Sequence, residues 1–328
     1  MVEVFKDVHE FLVKKGGELL TAGDAIKSTN VTNTNTLKEE LIELPHQFFS
    51  IANPDKTIFN LQSFKTIPWW MIGEILTEFL NFNPPVMAKY RNDLIDQSYK
   101  LMADGTIEYM YGSRWKEHNQ IENVRKKLIS NPNSKRAIIQ TWMPYDTELT
   151  REDVPCNVNY MFLGRDGKLD MTATIRSNDI CRGSKYDYFL AGFMQQSMAA
   201  LTNQKVGNLY LSINSLHTYS KDRSTLEAAV QQAQQNSNKS ISINLPEHID
   251  VLQYWNDLRH VKKAEESSYN SAFQYCDKHI NDIHTPIFKD FARIIGINNA
   301  ITSKNRDYKH KFIDDIQNDD VRRLLNGS

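Results

Sequence analysis

The chain has 328 residues, 40% hydrophobic and 24% charged, enough apolar material for one large mixed α/β domain with an appendage. Its 39 lysines and arginines nearly balance 40 aspartates and glutamates, for a formal net charge of −1. That excludes a global basic field for nucleic acid or a membrane surface, so an anionic partner must be held by a few placed cations.

Three cysteines, Cys156, Cys181 and Cys276, are too few and too scattered for a disulfide framework or a zinc site. They fit a reducing cytoplasm. The N-terminus lacks the apolar core of a signal peptide, and no apolar run reaches the length of a membrane span. A soluble, cytoplasmic protein without a metal is expected.

In chain order, Val4, Val8, Phe11 and Leu12 predict an amphipathic opening helix over 4–20. The polar run Lys27 to Leu37 reads as an exposed loop, or as a loop closing over an anion. Leu41 to Asn60 predicts short strands around the turn Asn53-Pro54-Asp55. Trp69 to Phe82 is apolar at helical spacing and carries Glu74 and Glu78 one turn apart. Glu74, among Ile72, Ile75 and Leu76, is either a solvated carboxylate or a buried one held beside a site.

Tyr90 to Met102 predicts another helix, and Tyr109 to Trp115 core plus a bend, with Gly112 permitting close approach of a ligand. A helix over 120–129 leads through Lys135-Arg136 into a strand over 137–142. Asn157 to Leu163 and Leu169 to Arg176 flank Gly164-Arg165-Asp166-Gly167, a hairpin signal. Tyr188 to Ala200 predicts a helix and Asn208 to Tyr219 a strand. Leu226 to Lys239 reads as a polar surface connection, and Ser240 to Leu245 as a short strand. The pattern beyond is helical, over 248–263, 272–283, 287–295 and 308–325. The division expected is a catalytic domain over 1–246 and a helical extension over 247–328.

Taken singly, the reactive residues are ambiguous; Cys156 alone reads as an inert buried thiol. Their order is informative. Arg176-Ser177-x-Asp179-x-x-x-Gly183 is preceded by Pro155-Cys156 and followed by His217-x-Tyr219. Pro132-x-Ser134-Lys135-Arg136, Thr141-Trp142-x-Pro144, Tyr111-Gly112-x-x-Trp115 and the helix of Glu74 accompany it.

This series resembles the thymidylate synthase family, which includes pyrimidine-nucleotide hydroxymethylases. The resemblance runs from about Trp69 to Tyr219. It implies a mixed sheet packed with helices, a homodimer, and 5,10-methylenetetrahydrofolate as cosubstrate. It makes Cys156 the nucleophile for pyrimidine C6, with Glu74 relaying protons and ordering water. Tyr111 stands near the proton leaving C5. Arg176 and Ser177 hold the phosphate, joined across the dimer by Lys135 and Arg136. His217 and Tyr219 bind the sugar hydroxyl, and Asp179 holds the pterin ring, with Gly183 beside it.

Three departures from the family pattern shape the expected reaction. Asp187 stands where synthases carry the asparagine that reads uracil. An ionised carboxylate only accepts hydrogen bonds, which suits the N4 amino group of cytosine and repels uracil O4. Asn157 replaces the histidine common after the cysteine, altering the polar network near the base. Ile95 and Ser98 take the place of two indoles that exclude water from the methylene intermediate. Together these imply hydroxymethylation of a cytidine monophosphate, dCMP ahead of CMP. The alternatives are a dCMP methyltransferase, a dUMP-directed enzyme of the same family, and a non-catalytic nucleotide-binding or interaction protein.

Overall fold

Alternation of buried and outward side chains builds the sheet, because successive strand residues face opposite sides. In the computed structural model, which describes residues 2–31, 36–80, 110–148, 154–235, 240–266, 272–302 and 306–326, strand β8 (Lys168–Ile175) buries Leu169, Met171, Ala173 and Ile175. Strand β7 (Asn157–Arg165) buries Tyr160 and Phe162 while Met161 and Leu163 face outward. The two form the expected hairpin, with Asp166 and Gly167 at φ of 49° and 73°. Both central residues of such a two-residue turn need positive φ, which explains the Asp-Gly pair.

The described sheet has eight strands, in the order β1-β3-β10-β8-β7-β6, with β2 beside β3 and β9 beside β10. The remaining strands of that sheet are β1 (Glu3–Phe5), β2 (Asp24–Val31), β3 (Thr36–Ile51), β6 (Ala137–Gln140), β9 (Asn178–Asp179) and β10 (Lys205–Tyr219). β4 (Asn60–Leu61) and β5 (Phe64–Lys65) form a separate short pair. The long strand β10 runs antiparallel to β3 and parallel to β8 and β9. Parallel and antiparallel pairs in one sheet packed with helices place the chain in the mixed α/β class.

One helix, α6 (Ser184–Leu201), lies against the inner face of the sheet, and everything from Tyr188 to Leu201 on it is buried. Three of its buried polar side chains are hydrogen-bonded, as burial favours. Gln195 donates to the Leu169 carbonyl at 2.9 Å, Gln196 accepts from the Leu245 amide at 3.1 Å, and Ser197 accepts from Tyr254 at 2.8 Å. Beyond it lie α3 (Pro68–Leu80), α4 (Tyr111–Glu117) and α5 (Gln120–Ser130) of the N-terminal half. The helices after residue 246 are α8 (Val251–Glu266), α9 (Ala272–His279), α10 (Pro286–Thr302), α11 (Arg306–Asp314) and α12 (Asp319–Asn326). Phe288 and Phe291 of α10 stand 6.3 and 6.0 Å, centroid to centroid, from Phe193 of α6, and join its core cluster.

Several expectations are corrected. The opening segment is not one helix: Glu3–Phe5 pairs with β3, and the helix follows as α1 (Val8–Phe11), a wider π turn (Leu12–Gly16) and α2 (Gly17–Ala22). Lys27–Val31 and Thr36–Leu37 belong to the antiparallel β2–β3 pair rather than to a loop. Residues 41–51 lie within the single strand β3. Of the stretch 109–115, Tyr111–Trp115 opens helix α4 in place of a bend, and residue 109 lies outside the described residues. Leu226–Lys239 is mostly helix α7 (Arg223–Gln235), which buries Leu226, Ala229 and Val230. Ser240–Leu245 makes one bridge, Ile241 to Ile58, and no strand. Residues 308–325 divide into α11 and α12. The helix expected over 90–102, with Ile95 and Ser98, lies outside the described residues.

A cap ties two helices of the extension together. Buried Asp257 of α8 accepts from the amides of His284 (3.1 Å) and Thr285 (2.8 Å), the residues leading into α10. Asp257→Ala strands the buried Thr285 N–H, and an unsatisfied buried donor costs about 1–3 kcal/mol. Stability by urea denaturation is expected to fall by about 2 kcal/mol; an unchanged midpoint would contradict the capping role.

Candidate active site

The open end of the β7–β8 hairpin puts a thiol beside a guanidinium. Cys156 immediately precedes β7 and Arg176 immediately follows β8, and the Arg176 amide donates to the Cys156 carbonyl at 2.9 Å. The side chain then folds back along the same segment. Arg176 Nε donates to the Pro155 carbonyl at 2.8 Å, and a terminal nitrogen to that of Val154 at 2.9 Å. That nitrogen lies 3.8 Å from Cys156 Sγ. A fixed cation at this distance favours thiolate over thiol. The guanidinium also stands 5.6 Å from the Trp142 ring. Cys156 is half-buried, whereas Cys181 and Cys276 are buried, with thiols pushed up to about 12 by burial.

The opposite side is built by the first turn of α6 and by α4. Asp187 lies in that first turn, where the helix N-terminus favours a carboxylate. Its Oδ2 accepts from Asn178 Nδ2 at 2.8 Å. Tyr111 is held well above the ordinary phenol range, first by burial and then by the Asp187 carboxylate and Cys156, so it keeps its proton. Its hydroxyl accepts from the Asn157 amide at 3.4 Å. The Asn157 side chain faces inward instead, accepting from Thr141 Oγ1 at 2.9 Å, and that hydroxyl in turn accepts from Trp115 Nε1 at 3.0 Å. Glu74 is half-buried on α3, one turn after Trp70, whose ring lies 4.9 Å from that of Tyr186 at the start of α6. Positions four apart share a helix side, which turns Glu74 toward the same end of α6.

Strand β10 contributes the next pair. His217 sits in register between Glu43 of β3 and Asp179 of β9. Its Nδ1 lies 3.2 Å from Ser215 Oγ, which donates to Glu43, and burial lowers its basicity so that the ring is neutral. The Tyr219 ring is 5.6 Å from that of His217 and carries Arg182 and Lys221 over its face, at 5.4 and 5.2 Å. Asp179 Oδ1 accepts from the Cys181 amide at 2.8 Å, while Oδ2 stands 3.5 Å from Arg182 Nε and accepts no hydrogen bond among the described residues. Burial raises this carboxyl to about 6. Ser177 is half-buried directly before β9. Gly183 precedes α6, where an added Cβ would come within 3.0 Å of Asp187 Oδ2.

Lys135 and Arg136 stand apart from this group. Both are exposed before the edge strand β6 and line a surface depression of about 910 Å³ with Lys126 and Lys127. Arg176 lines a different cavity, of about 370 Å³, on the outer sheet face with His46, Phe48, Val158 and Thr174.

A family model described as thymidylate synthase matches residues 27–271, running past the boundary expected at 246. The thymidylate synthase of Streptococcus gordonii is 29% identical over 254 residues, covering 74% of this chain and 87% of that protein. One from Streptococcus agalactiae is 27% identical over 188 residues, covering 56% and 66%. That of Bacillus phage phi3T is 26% identical over 140 residues, covering 40% and 50%. For several of these curated relatives, this chain thus spans about half to two thirds of their length. Among solved structures, thermostable thymidylate synthase A from Bacillus subtilis superposes with a TM-score of 0.59 at 19% identity, over 72% of this chain and 87% of that one. That likeness is one of fold.

Two residues of this region escape sequence reasoning. Asn178 lies inside the Arg-Ser-x-Asp motif at its unassigned position. Glu78 sits one turn beyond Glu74 and is buried; its carboxylate accepts from the Gly112 amide, and also from that of Tyr111. Gly112 is required there, because a Cβ would stand 2.2 Å from the Glu78 carbonyl oxygen. The close approach expected of Gly112 is therefore to α3 backbone. No sequence pattern links Glu78 to residues over thirty positions away.

Burial raises the Glu78 carboxyl from its ordinary value of 4.5 to about 8. The folded chain thus keeps a proton that the unfolded chain loses, and stability attributable to Glu78 falls as pH rises from about 4.5 to about 8. Glu78→Gln removes that slope. The melting temperature of the variant, relative to wild type, is expected to climb between about pH 5 and about pH 8, and a pH-independent difference would contradict the assignment.

Proposed function

The chain belongs to the thymidylate synthase family, and on that premise we propose that it is a folate-dependent transferase placing a hydroxymethyl group on C5 of a cytidine monophosphate, dCMP ahead of CMP. The carrying observation is Asp187, a carboxylate in the first turn of α6 on the side of the site facing Cys156 and Tyr111. Against an amide there, it accepts from an N4 amino group and repels a carbonyl oxygen.

The chemistry follows from the side chains. Cys156 Sγ adds to C6 of the ring, which ends the conjugation and makes C5 enamine-like. Arg176, already on the Cys156 segment, serves the thiolate and the nucleotide phosphate, with Ser177 as a hydroxyl donor. His217 and Tyr219 take the sugar hydroxyl. The 5,10-methylenetetrahydrofolate cosubstrate supplies the carbon at the oxidation level of formaldehyde. Asp179 fits its ring, since Oδ2 is a buried acceptor that takes no hydrogen bond from a described residue. Tyr111 stands by the C5 proton. Water ordered by Glu74 adds to the exocyclic methylene of the pyrimidine, and the C6–S bond breaks. The balance is dCMP, methylenetetrahydrofolate and water giving 5-hydroxymethyl-dCMP and tetrahydrofolate, with no hydride moved.

The names of the relatives favour a second reading, C5 methylation of dUMP. Both readings are decided by incubating wild type and Asp187→Asn with dCMP, CMP and dUMP in heavy-oxygen water and weighing the products. Wild type is expected to give a hydroxymethyl product carrying solvent oxygen, and Asp187→Asn to move preference toward dUMP by ~10-fold or more. A methyl product without that oxygen overturns hydroxymethylation. No turnover, with no adduct on Cys156 from a 5-fluoropyrimidine nucleotide, favours a binding role.

The working unit we propose is a homodimer. The outer sheet face exposes Phe48, Ile138, Met161 and Leu163, and Tyr210 stacks beside Phe48 at 6.1 Å. Exposed apolar side chains on both halves of one sheet face, with Thr172 and Thr174 of β8 between them, suit an association surface. The cavity of Arg176 opens on it, so a symmetric pairing offers the partner subunit's Lys135 and Arg136 to the phosphate. Met161→Glu buries a charge in such an interface. It is expected to sediment as a monomer and to lose most activity; an active wild-type monomer would overturn the dimer.

A further inference from the structure

A carboxylate that reads cytosine faces a difficulty the base itself creates. Cytosine presents a donor, the N4 amino group, directly beside an acceptor, the N3 lone pair. Two carboxylate oxygens turned to that edge would gain one hydrogen bond and suffer one repulsion. The carboxylate must therefore offer one oxygen and keep its charge.

The surroundings of Asn178 meet both requirements. It is 1% exposed, at the first position of β9. Its Oδ1 accepts from Ser184 Oγ at 2.5 Å and from Tyr188 OH at 3.1 Å. Both hydroxyls lie on α6 and are fully buried, and the Tyr188 phenol keeps its proton because burial raises it far above the ordinary range. An ionised carboxylate only accepts, so the amide turns Nδ2 to Asp187 Oδ2, 2.8 Å away, and its oxygen to the two hydroxyls. Gly183 leaves room for this contact, since a Cβ there would come within 3.0 Å of the same oxygen.

We infer that Asn178 is the positioning residue for base selection: its amide engages one oxygen of Asp187, holds the carboxylate ionised, and presents a single acceptor to the N4 amino group. The inference rests on the cytidylate reading above. A hydrogen bond donated to a carboxylate favours the charged form, and its loss leaves the group easier to protonate. Among the described residues, the Tyr111, Tyr160 and Tyr188 phenols feel the Asp187 carboxylate, and each is raised above the ordinary phenol range.

The discriminating variant is Asn178→Asp, which places a second carboxylate at the same spot. Two carboxylates within hydrogen-bond reach share one proton over a wide pH range. The ratio of kcat/KM for dCMP to that for dUMP is expected to fall at least ~10-fold at neutral pH. It is also expected to become pH-dependent and to recover as pH rises. Asn178→Ala should lower the ratio with a weaker pH dependence, since it removes a donor without adding a second carboxylate. Melting temperature and the rate of Cys156 alkylation establish that each variant is folded with its nucleophile in place.

A wild type that prefers dCMP, with Asn178→Asp keeping its ratio within twofold and flat with pH, overturns the inference alone. A wild type without preference for dCMP overturns the substrate assignment and this inference with it, and is seen before any variant is made.

Discussion

A single main-chain hydrogen bond, from the Arg176 amide to the Cys156 carbonyl, is the constraint on which the site depends. It closes the open end of the β7–β8 hairpin and fixes the Cys156 thiol against the Arg176 guanidinium. The guanidinium then satisfies the carbonyls of Val154 and Pro155, which no strand partner reaches. One arginine thus terminates a hairpin, satisfies loop carbonyls and sets the electrostatics at a sulfur. Arginine is suited to this because its planar fork donates in several directions at once while its charge stays fixed.

The sheet and α6 supply the other half of the arrangement. β10 runs between β3 and the short β9, so that His217 meets Glu43 on one side and Asp179 on the other. Asp187 reaches the site because α6 begins immediately after the Asp179–Gly183 turn. Residues nearly forty positions apart are brought together by ladder register alone, while Cys156 and Arg176 need only their shared hairpin.

Much of this was legible in the sequence because it is local. Asp166-Gly167 specifies a turn whose dihedrals few other pairs accept, and the alternation on both sides specifies the strands. The motif around Arg176 sets four candidate site residues within eight positions, 176–183. What escaped was set by distant contacts. Tyr111–Glu117 is a helix because Gly112 packs on α3 and Glu78 caps its first amides, which an aromatic, Gly-containing heptapeptide does not announce. Residues 223–235 form a helix on the strength of three apolar positions among glutamines. Ser240–Leu245 has the alternation of a strand and meets a partner only at Ile58. Glu74 and Glu78 are alike in sequence and differ only in which neighbours cover them.

The long buried helix α6 also imposes an order on how the chain is made. Residues 184–201 are covered on one side by a sheet whose strands are all complete by residue 219. On the other side lie Tyr254 and the phenylalanines at 288 and 291, synthesised much later. During translation the helix therefore emerges with one face sheltered and the other bare, and it stays so until nearly a hundred further residues have left the ribosome. A nascent chain in that state presents the kind of surface that chaperones retain. A premature stop after residue 246 would leave Phe193 without the two phenylalanines that cover it.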